Sequence, residues 1–270
     1  GIGQALLQND LDPTPEGGRM PYIMPRNEQG MVHAAAAYAK TTNRLSTWMC
    51  TASIGPGSLN MVTGAALATT NRLPVLLFPS DQFATRWPDP VLQQVEDPVS
   101  PMTAATDCFR PVSRFFDRIE RPEQLIPSLL AGLRVLTDPV DTGAVTIALP
   151  QDVQAESYDF PVEFFARRVW HVRRPPAEAA AIERAAAIIR EARRPLVVAG
   201  GGVIYAEASK QLRAFADATG IPVSDTQAGK GAINHDHPVA VGGVGSTGAA
   251  SANALADEAD VVIGIGTRYS

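Results

Sequence analysis

The chain has 270 residues, 45% of them hydrophobic and 19% charged, with a formal net charge of −5. This composition predicts a globular protein with a substantial core, long enough for one large or two ordinary domains. The negative charge argues against a nucleic-acid partner, no apolar run approaches the roughly 20 residues that cross a bilayer, and no signal peptide is recognisable, so we expect a cytoplasmic protein.

The first half of the chain alternates apolar runs with helical patterns, which predicts a mainly parallel sheet with helices on its faces. Short apolar runs bounded by turn residues predict strands at residues 21–25, 45–50, 74–79 and 143–150. The helices are predicted to begin at Glu28, to end near Thr70, and to cover residues 122–137. The Pro-containing stretch 80–98 has no regular pattern, and connections of that length are typically functional.

A basic segment ending in Pro175-Pro176 suits a linker, after which the alternation restarts. The second half is predicted to contain helices at 177–192 and 205–219 and strands at 195–200, 221–225 and 259–266. We therefore expect two three-layer α/β/α domains, residues 1–166 and 181–270, joined by a linker at 167–180. Because the chain opens in a glycine-rich turn and closes just after a strand, we also expect it to be an internal piece of a longer polypeptide.

Familiar chemical motifs are mostly missing. The P-loop spacing fails around Lys230, and H-E-x-x-H and G-x-S-x-G do not occur. The pair His235 and His237 has no further partner at metal-ligand spacing, so no metal ligand is predicted in this chain. Two cysteines do not make a disulfide framework, and Cys50 ends an apolar run, which favours a reduced, buried thiol over a bond to Cys108.

One glycine loop does satisfy a dinucleotide pattern. Residues 243–248, "GVGSTG", fit G-x-G-x-x-G and precede a plausible helix, whereas "GGGVIY" at 200–205 lacks the third glycine. No acid stands at the position expected for ribose binding. A packing role for both loops is favoured, and a nucleotide-binding module remains an alternative.

The segment "RNEQGMVHAAAAYAK" at residues 26–40 places Glu28 at the start of a predicted helix that has no other charged residue before Lys40. Asn27 is a suitable N-cap, and the first turn favours a negative charge. A shared face is predicted for Met31, Ala34, Ala35 and Tyr38, and Gly30 suggests that another element packs there. The pattern fits both an ordinary helix start and a catalytic acid.

Two motifs carry a family resemblance. "RNEQGMVHAAAAYA" resembles the acid-bearing helix of thiamine diphosphate enzymes of the acetolactate synthase group, and "SIGPGSLN" at residues 53–60 resembles the loop that follows it. The resemblance covers nearly the whole chain. It implies a pyrimidine-binding domain followed by a Rossmann-like central domain, which binds FAD in some members and nothing in others.

The resemblance implies that Glu28 hydrogen-bonds a ring nitrogen of the cofactor's aminopyrimidine and thereby promotes removal of the thiazolium C2 proton. It also implies that Gly55, Pro56 and Gly57 shape a turn against the cofactor and that Asn60 bonds near the pyrimidine, although a plain turn and a helix cap remain open.

Four further residues are weaker candidates for substrate or cofactor contact: His33, Arg86, Gln93 and Gln94. For these the alternatives are a buried structural histidine and a solvated loop.

A narrower resemblance lies in "FATRWPDPVLQQVE" and "DTGAVTIALPQDVQAESYDF". It implies a member of the family that opens a cyclic polyol diketone hydrolytically during myo-inositol breakdown, giving 5-deoxyglucuronate. The alternatives are an acetolactate synthase-like carboligase or decarboxylase and a structural relative without cofactor. The family's Mg²⁺ and diphosphate are held by a third domain that nothing in this sequence matches. We therefore expect half a site here, completed by a second subunit of a homodimer or homotetramer.

Overall fold

The computed structural model describes residues 1–13, 18–86, 92–95, 97 and 99–269. The chain divides into two compact units, Gly1–Arg173 and Arg174–Ser270. Each unit is built on its own four-stranded sheet, in which every pair of neighbouring strands is parallel. The predicted fold class, two α/β domains with parallel sheets, is confirmed.

The sheet of the first unit consists of β1 (Met49–Ala52), β2 (Val75–Asp81), β3 (Phe115–Arg118) and β4 (Ala144–Pro150). Its α-helices are α1 (Ile2–Leu11), α2 (Glu28–Thr41), α3 (Pro56–Leu59), α4 (Val62–Thr70) and α5 (Leu125–Leu136). Short 3₁₀ helices cover Ala105–Val112, Pro122–Gln124, Val153–Ala155 and Val162–Phe165.

The strand order in this unit is β1-β2-β4-β3. The two central strands are almost wholly buried, as expected for apolar runs covered on both faces. Since all four strands are parallel, their carboxyl ends meet at one edge of the sheet, where the loops that begin at Ser53, Gln82 and Gln151 start. In open α/β sheets this edge is the usual place for a ligand.

Helix α2 begins as predicted. The side chain of Asn27 accepts a hydrogen bond from the backbone N–H of Gly30 at 2.6 Å and caps the first turn. The buried face differs from the prediction, since it consists of Val32, Ala35, Ala36 and Ala39. These small residues allow close packing of α2 against α4, where a Cβ on Gly64 would come within 2.6 Å of the Cβ of Val32.

Two details predicted for this helix are wrong. Ala34 is exposed, and Met31 and Tyr38 are only half-buried, so the predicted shared face is not the packed one. Gly30 is exposed as well, and the atoms nearest to its missing Cβ belong to the capping Asn27 rather than to another element.

The predicted strand at residues 21–25 is also wrong, because this segment pairs with no strand. Pro21 and Pro25 have no N–H to donate to a ladder, and Ile23 and Met24 are exposed. The next strand lies later than predicted, at Met49–Ala52. Beyond Asp81 the described part of 80–98 contains no helix or strand, as predicted.

In the second unit the strands are β5 (Pro195–Ala199), β6 (Val223–Asp225), β7 (Ala240–Gly243) and β8 (Val261–Ile265). The helices are α6 (Ala179–Glu191), α7 (Gly201–Tyr205), α8 (Ser209–Thr219) and α9 (Ala250–Glu258), with a 3₁₀ turn at Gln227–Gly229. The sheet order is β7-β6-β5-β8, and its core includes Val197, Leu212 and Val223. The predicted helix at 205–219 begins only at Ser209, because α7 occupies the preceding glycine turn.

Both cysteines are free, Cys50 buried and Cys108 exposed, which confirms the predicted buried, reduced thiol. Burial raises the pKa of the Cys50 thiol to about 12. No helix within the described ranges is long and apolar enough to cross a membrane.

Candidate functional site

Glu28 occupies the first turn of α2 and is half-buried. The side-chain amide of Asn60, which follows α3, donates a hydrogen bond to Glu28 Oε2 at 2.8 Å. The helix macrodipole stabilises a negative charge at this end of α2. Helix start and amide together hold the carboxylate in one place, although the two residues are 32 positions apart in the sequence.

The glycine-proline-glycine turn brings the loop against this carboxylate. Gly55 has φ +66°, a left-handed conformation, and a Cβ there would overlap the backbone carbonyl oxygen of Gln93. A Cβ on Gly57 would overlap Ser53 Oγ and would lie 3.5 Å from Glu28 Oε1. The second glycine therefore leaves room directly beside the carboxylate.

An open cleft of about 690 Å³ lies at this point. We call it the Glu28 cleft, and its lining is Glu28, Ser53, Pro56, Gly57, Leu59, Asn60 and Gln93. The structure thus brings Glu28, Pro56, Gly57, Asn60 and Gln93, all predicted site residues, to one surface. Gly55 is buried behind them, under Gln93.

The other predicted residues lie elsewhere. His33 contacts the side-chain amide of Gln29, with 3.3 Å between Nε2 and Nε2, and does not line the cleft. Arg86 lines a separate small pocket with Arg118 and Glu120. Gln94 is half-buried and is not among the described residues that line the Glu28 cleft.

Two lining residues were not singled out from the sequence. Ser53 and Leu59 both lie inside the quoted loop motif, so the motif itself was the available signal. Ser53 Oγ lies 3.4 Å from Gln93 Oε1 and connects the loop after β1 to the long loop after β2.

The long loop is fixed at its start by Asp152. The backbone N–H groups of Ala84 and Thr85 donate to its two carboxylate oxygens at 2.9 and 3.1 Å, and the Thr85 hydroxyl adds a third bond. Partial burial by itself would raise the pKa of Asp152. The hydrogen bonds from Ala84, Thr85 and Val153 outweigh that effect, so its pKa lies below the ordinary value.

A buried ion pair supports the same edge of the sheet. Asp81, at the end of β2, is almost fully buried and accepts hydrogen bonds from Arg118 Nε at 2.6 Å and from the Thr106 hydroxyl at 2.5 Å. Because a buried carboxylate without partners is costly, these bonds fix the point at which the chain leaves the sheet.

The glycine loop at 243–248 has the features of a packing element. Its backbone N–H groups at Val244, Gly245 and Gly248 donate to Asp225 O, Asn253 Oδ1 and Gly245 O. Since a phosphate cradle needs free N–H groups, these three are not available to one. A Cβ on Gly248 would also overlap the carbonyl oxygen of Gly243, and this close approach favours the packing role. Within the part of the chain that the structure describes, no three His, Cys, Asp or Glu side chains cluster as a metal site would require.

Comparison with known families adds two matches. Residues 7–100 match the family described as thiamine pyrophosphate enzyme, N-terminal TPP binding domain, and residues 182–270 match thiamine pyrophosphate enzyme, central domain.

Curated relatives match over all 270 residues. The chain is 50% identical to proteins named 3D-(3,5/4)-trihydroxycyclohexane-1,2-dione hydrolase from Clostridium perfringens (strain ATCC 13124), Clostridium tetani and Bacillus cereus (strain AH820). It spans 41% of the length of each of these relatives.

Proposed function

Since the chain belongs to the thiamine pyrophosphate enzyme family, we propose that it forms part of a hydrolase that opens the ring of 3D-(3,5/4)-trihydroxycyclohexane-1,2-dione. The product would be 5-deoxyglucuronate, in the breakdown of myo-inositol. The observation that carries the proposal is the fixed carboxylate of Glu28 beside the space that Gly57 leaves open.

The residues of the cleft fit an aminopyrimidine. Asn60 engages Oε2 of Glu28, whereas Oε1 has no hydrogen-bond donor from the described part of the chain. That oxygen faces the space beside Gly57 and can accept a hydrogen bond from a protonated ring nitrogen. Ser53 and Gln93 add neutral polar groups to the same wall.

Bound thiamine diphosphate supplies an electron sink for cleavage of a C–C bond next to a carbonyl. The part of Glu28 is to hold a proton at the pyrimidine ring nitrogen through a charge-assisted hydrogen bond. Asn60 orients the carboxylate, and the turn at Gly55 and Gly57 keeps the wall close without a side chain in the way. Acid–base assistance of this kind typically contributes 10²–10⁴-fold to a rate.

The remaining parts of the proposal concern the assembly. We assign the pyrimidine to the domain at residues 1–166 and a supporting role to the central domain at 181–270. We propose that Mg²⁺ and the diphosphate are held by a further domain of a second subunit, in a homodimer or homotetramer, as the family resemblance implies. The greater length of the relatives is compatible with such a further domain. Two free thiols suit a reducing compartment, and we propose the cytoplasm.

The test uses the full-length protein with thiamine diphosphate and Mg²⁺, and follows ring opening of the cyclic dione by mass spectrometry. We expect Glu28→Gln to lower kcat by 10²–10⁴-fold, because the amide cannot hold the charge-assisted bond. Glu123→Gln, a change of the same type in the exposed first turn of Pro122–Gln124, is the matched control and should leave the rate unchanged.

A parallel incubation with pyruvate separates the rival function. If acetolactate forms and the dione is untouched, the protein is a carboligase and the hydrolase proposal fails. If Glu28→Gln keeps full activity on the dione, the role proposed for the carboxylate is refuted.

A further inference from the structure

A second cavity, of about 580 Å³, lies at the carboxyl edge of the first sheet. We call it the sheet-edge cavity. It shares Ser53 and Gln93 with the Glu28 cleft, so the two spaces adjoin. Besides Gln93, its polar wall comprises side chains from separate segments of the chain: Tyr22, Thr51, Ser53, Ser80, Gln151 and Gln154.

The chemistry of this wall is uniform. Its polar side chains are hydroxyls and carboxamides, and none of the described residues that line it carries an acidic or basic side chain. A carboxylate ligand would lose water there without gaining a cationic side chain as partner, whereas neutral hydroxyl groups find both donors and acceptors. The wall therefore suits a neutral polyhydroxylated molecule better than a 2-oxo acid.

Some of these side chains already form hydrogen bonds within the protein. The amide nitrogen of Gln154 donates to Leu149 O at 2.7 Å and to Ser80 Oγ at 3.2 Å, and the Thr51 hydroxyl donates to Phe78 O. These bonds fix the shape of the wall.

Two groups remain available to a ligand. The side-chain amide of Gln151 and the hydroxyl of Tyr22 have no partner within the part of the chain that the structure describes. Gln151 is held through its backbone, whose N–H donates to Asp81 O at 3.2 Å at the end of β2. Its position therefore depends little on its side chain.

We propose that the sheet-edge cavity is the subsite for the ring hydroxyls of a neutral cyclic polyol, and that Gln151 and Tyr22 determine this specificity. The inference rests on the proposed function for its substrate. The ring would lie beside Ser53 and Gln93 with its hydroxyls on the neutral wall, next to the Glu28 cleft that holds the pyrimidine of the cofactor.

The test compares the full-length, cofactor-loaded wild type with Gln151→Leu, Tyr22→Phe and Gln211→Leu. Gln211 is an exposed glutamine on α8, outside the cavity, and supplies the matched control. Steady-state kinetics on the cyclic dione are combined with saturation-transfer NMR of myo-inositol, a neutral polyol that does not react. Affinity for thiamine diphosphate reports on folding.

We expect Gln151→Leu to raise KM for the dione about tenfold and Tyr22→Phe about fivefold, the loss expected for one hydrogen bond to a neutral group, while kcat changes less than threefold. The myo-inositol signal should weaken in both variants and persist in Gln211→Leu. Cofactor affinity should be the same in all four proteins.

The outcomes separate the two hypotheses. If the wild type opens the dione and both cavity variants keep KM within twofold, the subsite is refuted and the proposed function stands. If the wild type does not open the dione but binds myo-inositol in a way that depends on Gln151, the reaction is refuted and the subsite stands. If neither substrate nor probe is recognised, both fall.

Discussion

The hydrogen bond from Asn60 to Glu28 Oε2 offers a sharp test of how the carboxylate is held. Asn60→Ala removes the donating amide and leaves the rest of α3 unchanged, since Asn60 follows that helix and caps it through its backbone N–H. Glu28 would then keep its charge but lose its fixed orientation. We expect a slower reaction rather than an inactive protein.

The size of the effect follows from the geometry. A hydrogen bond to a charged group contributes about 1.5–3 kcal/mol when water cannot replace it. Asn60 is exposed, so water replaces part of the bond, and about 1–1.5 kcal/mol remains. This corresponds to a loss of roughly five- to twelvefold in kcat/KM.

The assay is a double-mutant cycle on the full-length protein, with kcat/KM on the cyclic dione for wild type, Asn60→Ala, Glu28→Gln and the double variant. If Asn60 acts through Glu28, Asn60→Ala should hardly lower kcat/KM further in the Glu28→Gln background. The coupling energy between the two residues would then be about 1 kcal/mol. Strictly additive losses would show that Asn60 acts independently of Glu28, and the mechanism of orientation would be refuted.

Three further predictions concern stability and reactivity. Gly55→Ala should lower Tm by several degrees, because the new Cβ meets a backbone carbonyl and the residue has a positive φ. Gly18→Ala also places alanine at a positive φ but has no atom within 4 Å of the new Cβ, so it should lower the stability by only about 1 kcal/mol and Tm by less. Equal Tm shifts for the two variants would contradict this. In thiol labelling of the native protein at pH 8, the exposed Cys108 should react fast, whereas the buried Cys50 should stay unlabelled until the protein unfolds. The pKa of about 12 of the Cys50 thiol leaves roughly one molecule in 10⁴ as thiolate at this pH. Rapid labelling of both cysteines would refute this prediction. Asp152→Asn should destabilise the protein at pH 7 by about 1–2 kcal/mol. A carboxylate with a lowered pKa stabilises the fold above its ordinary pKa near 4, and this stabilisation is lost as pH falls through the lower pKa of the folded state. The difference in urea unfolding between variant and wild type should therefore shrink as the pH is lowered below about 4, and a difference that stays constant would point to another cause.

The elements predicted best from the sequence are the strands that are buried on both faces of a sheet. Strands β2, β4 and β5 are apolar runs buried on both faces, and their position follows from burial alone. The segment 21–25 has the same apolar character but lacks donors at its two prolines, and hydrophobicity alone did not distinguish it from a strand. Strand β3 was not predicted, because its "FFDR" sequence is too short and too polar at one end to show a period.

The site could be predicted in part because its residues belong to two short motifs. Their relation in space could not, since the bond from Asn60 to Glu28 joins helices 32 residues apart. Gln93 was predicted only as a member of a long loop, and its contact with Ser53 depends on how that loop folds back over β1. Gln151 carried no signal in the sequence, because its importance depends on the convergence of strand ends at one edge.

Gly55 and Gly57 are each required in the turn for a different structural reason. Gly55 adopts a left-handed conformation and lies directly under the carbonyl of Gln93, so it sets how closely the long loop approaches the sheet. Gly57 is helical and needs no special conformation, but a side chain there would collide with Ser53 and narrow the space at Glu28 Oε1. A substitution at Gly55 should therefore mainly lower the stability of the fold, whereas one at Gly57 should mainly reduce the access of a ligand to the Glu28 carboxylate.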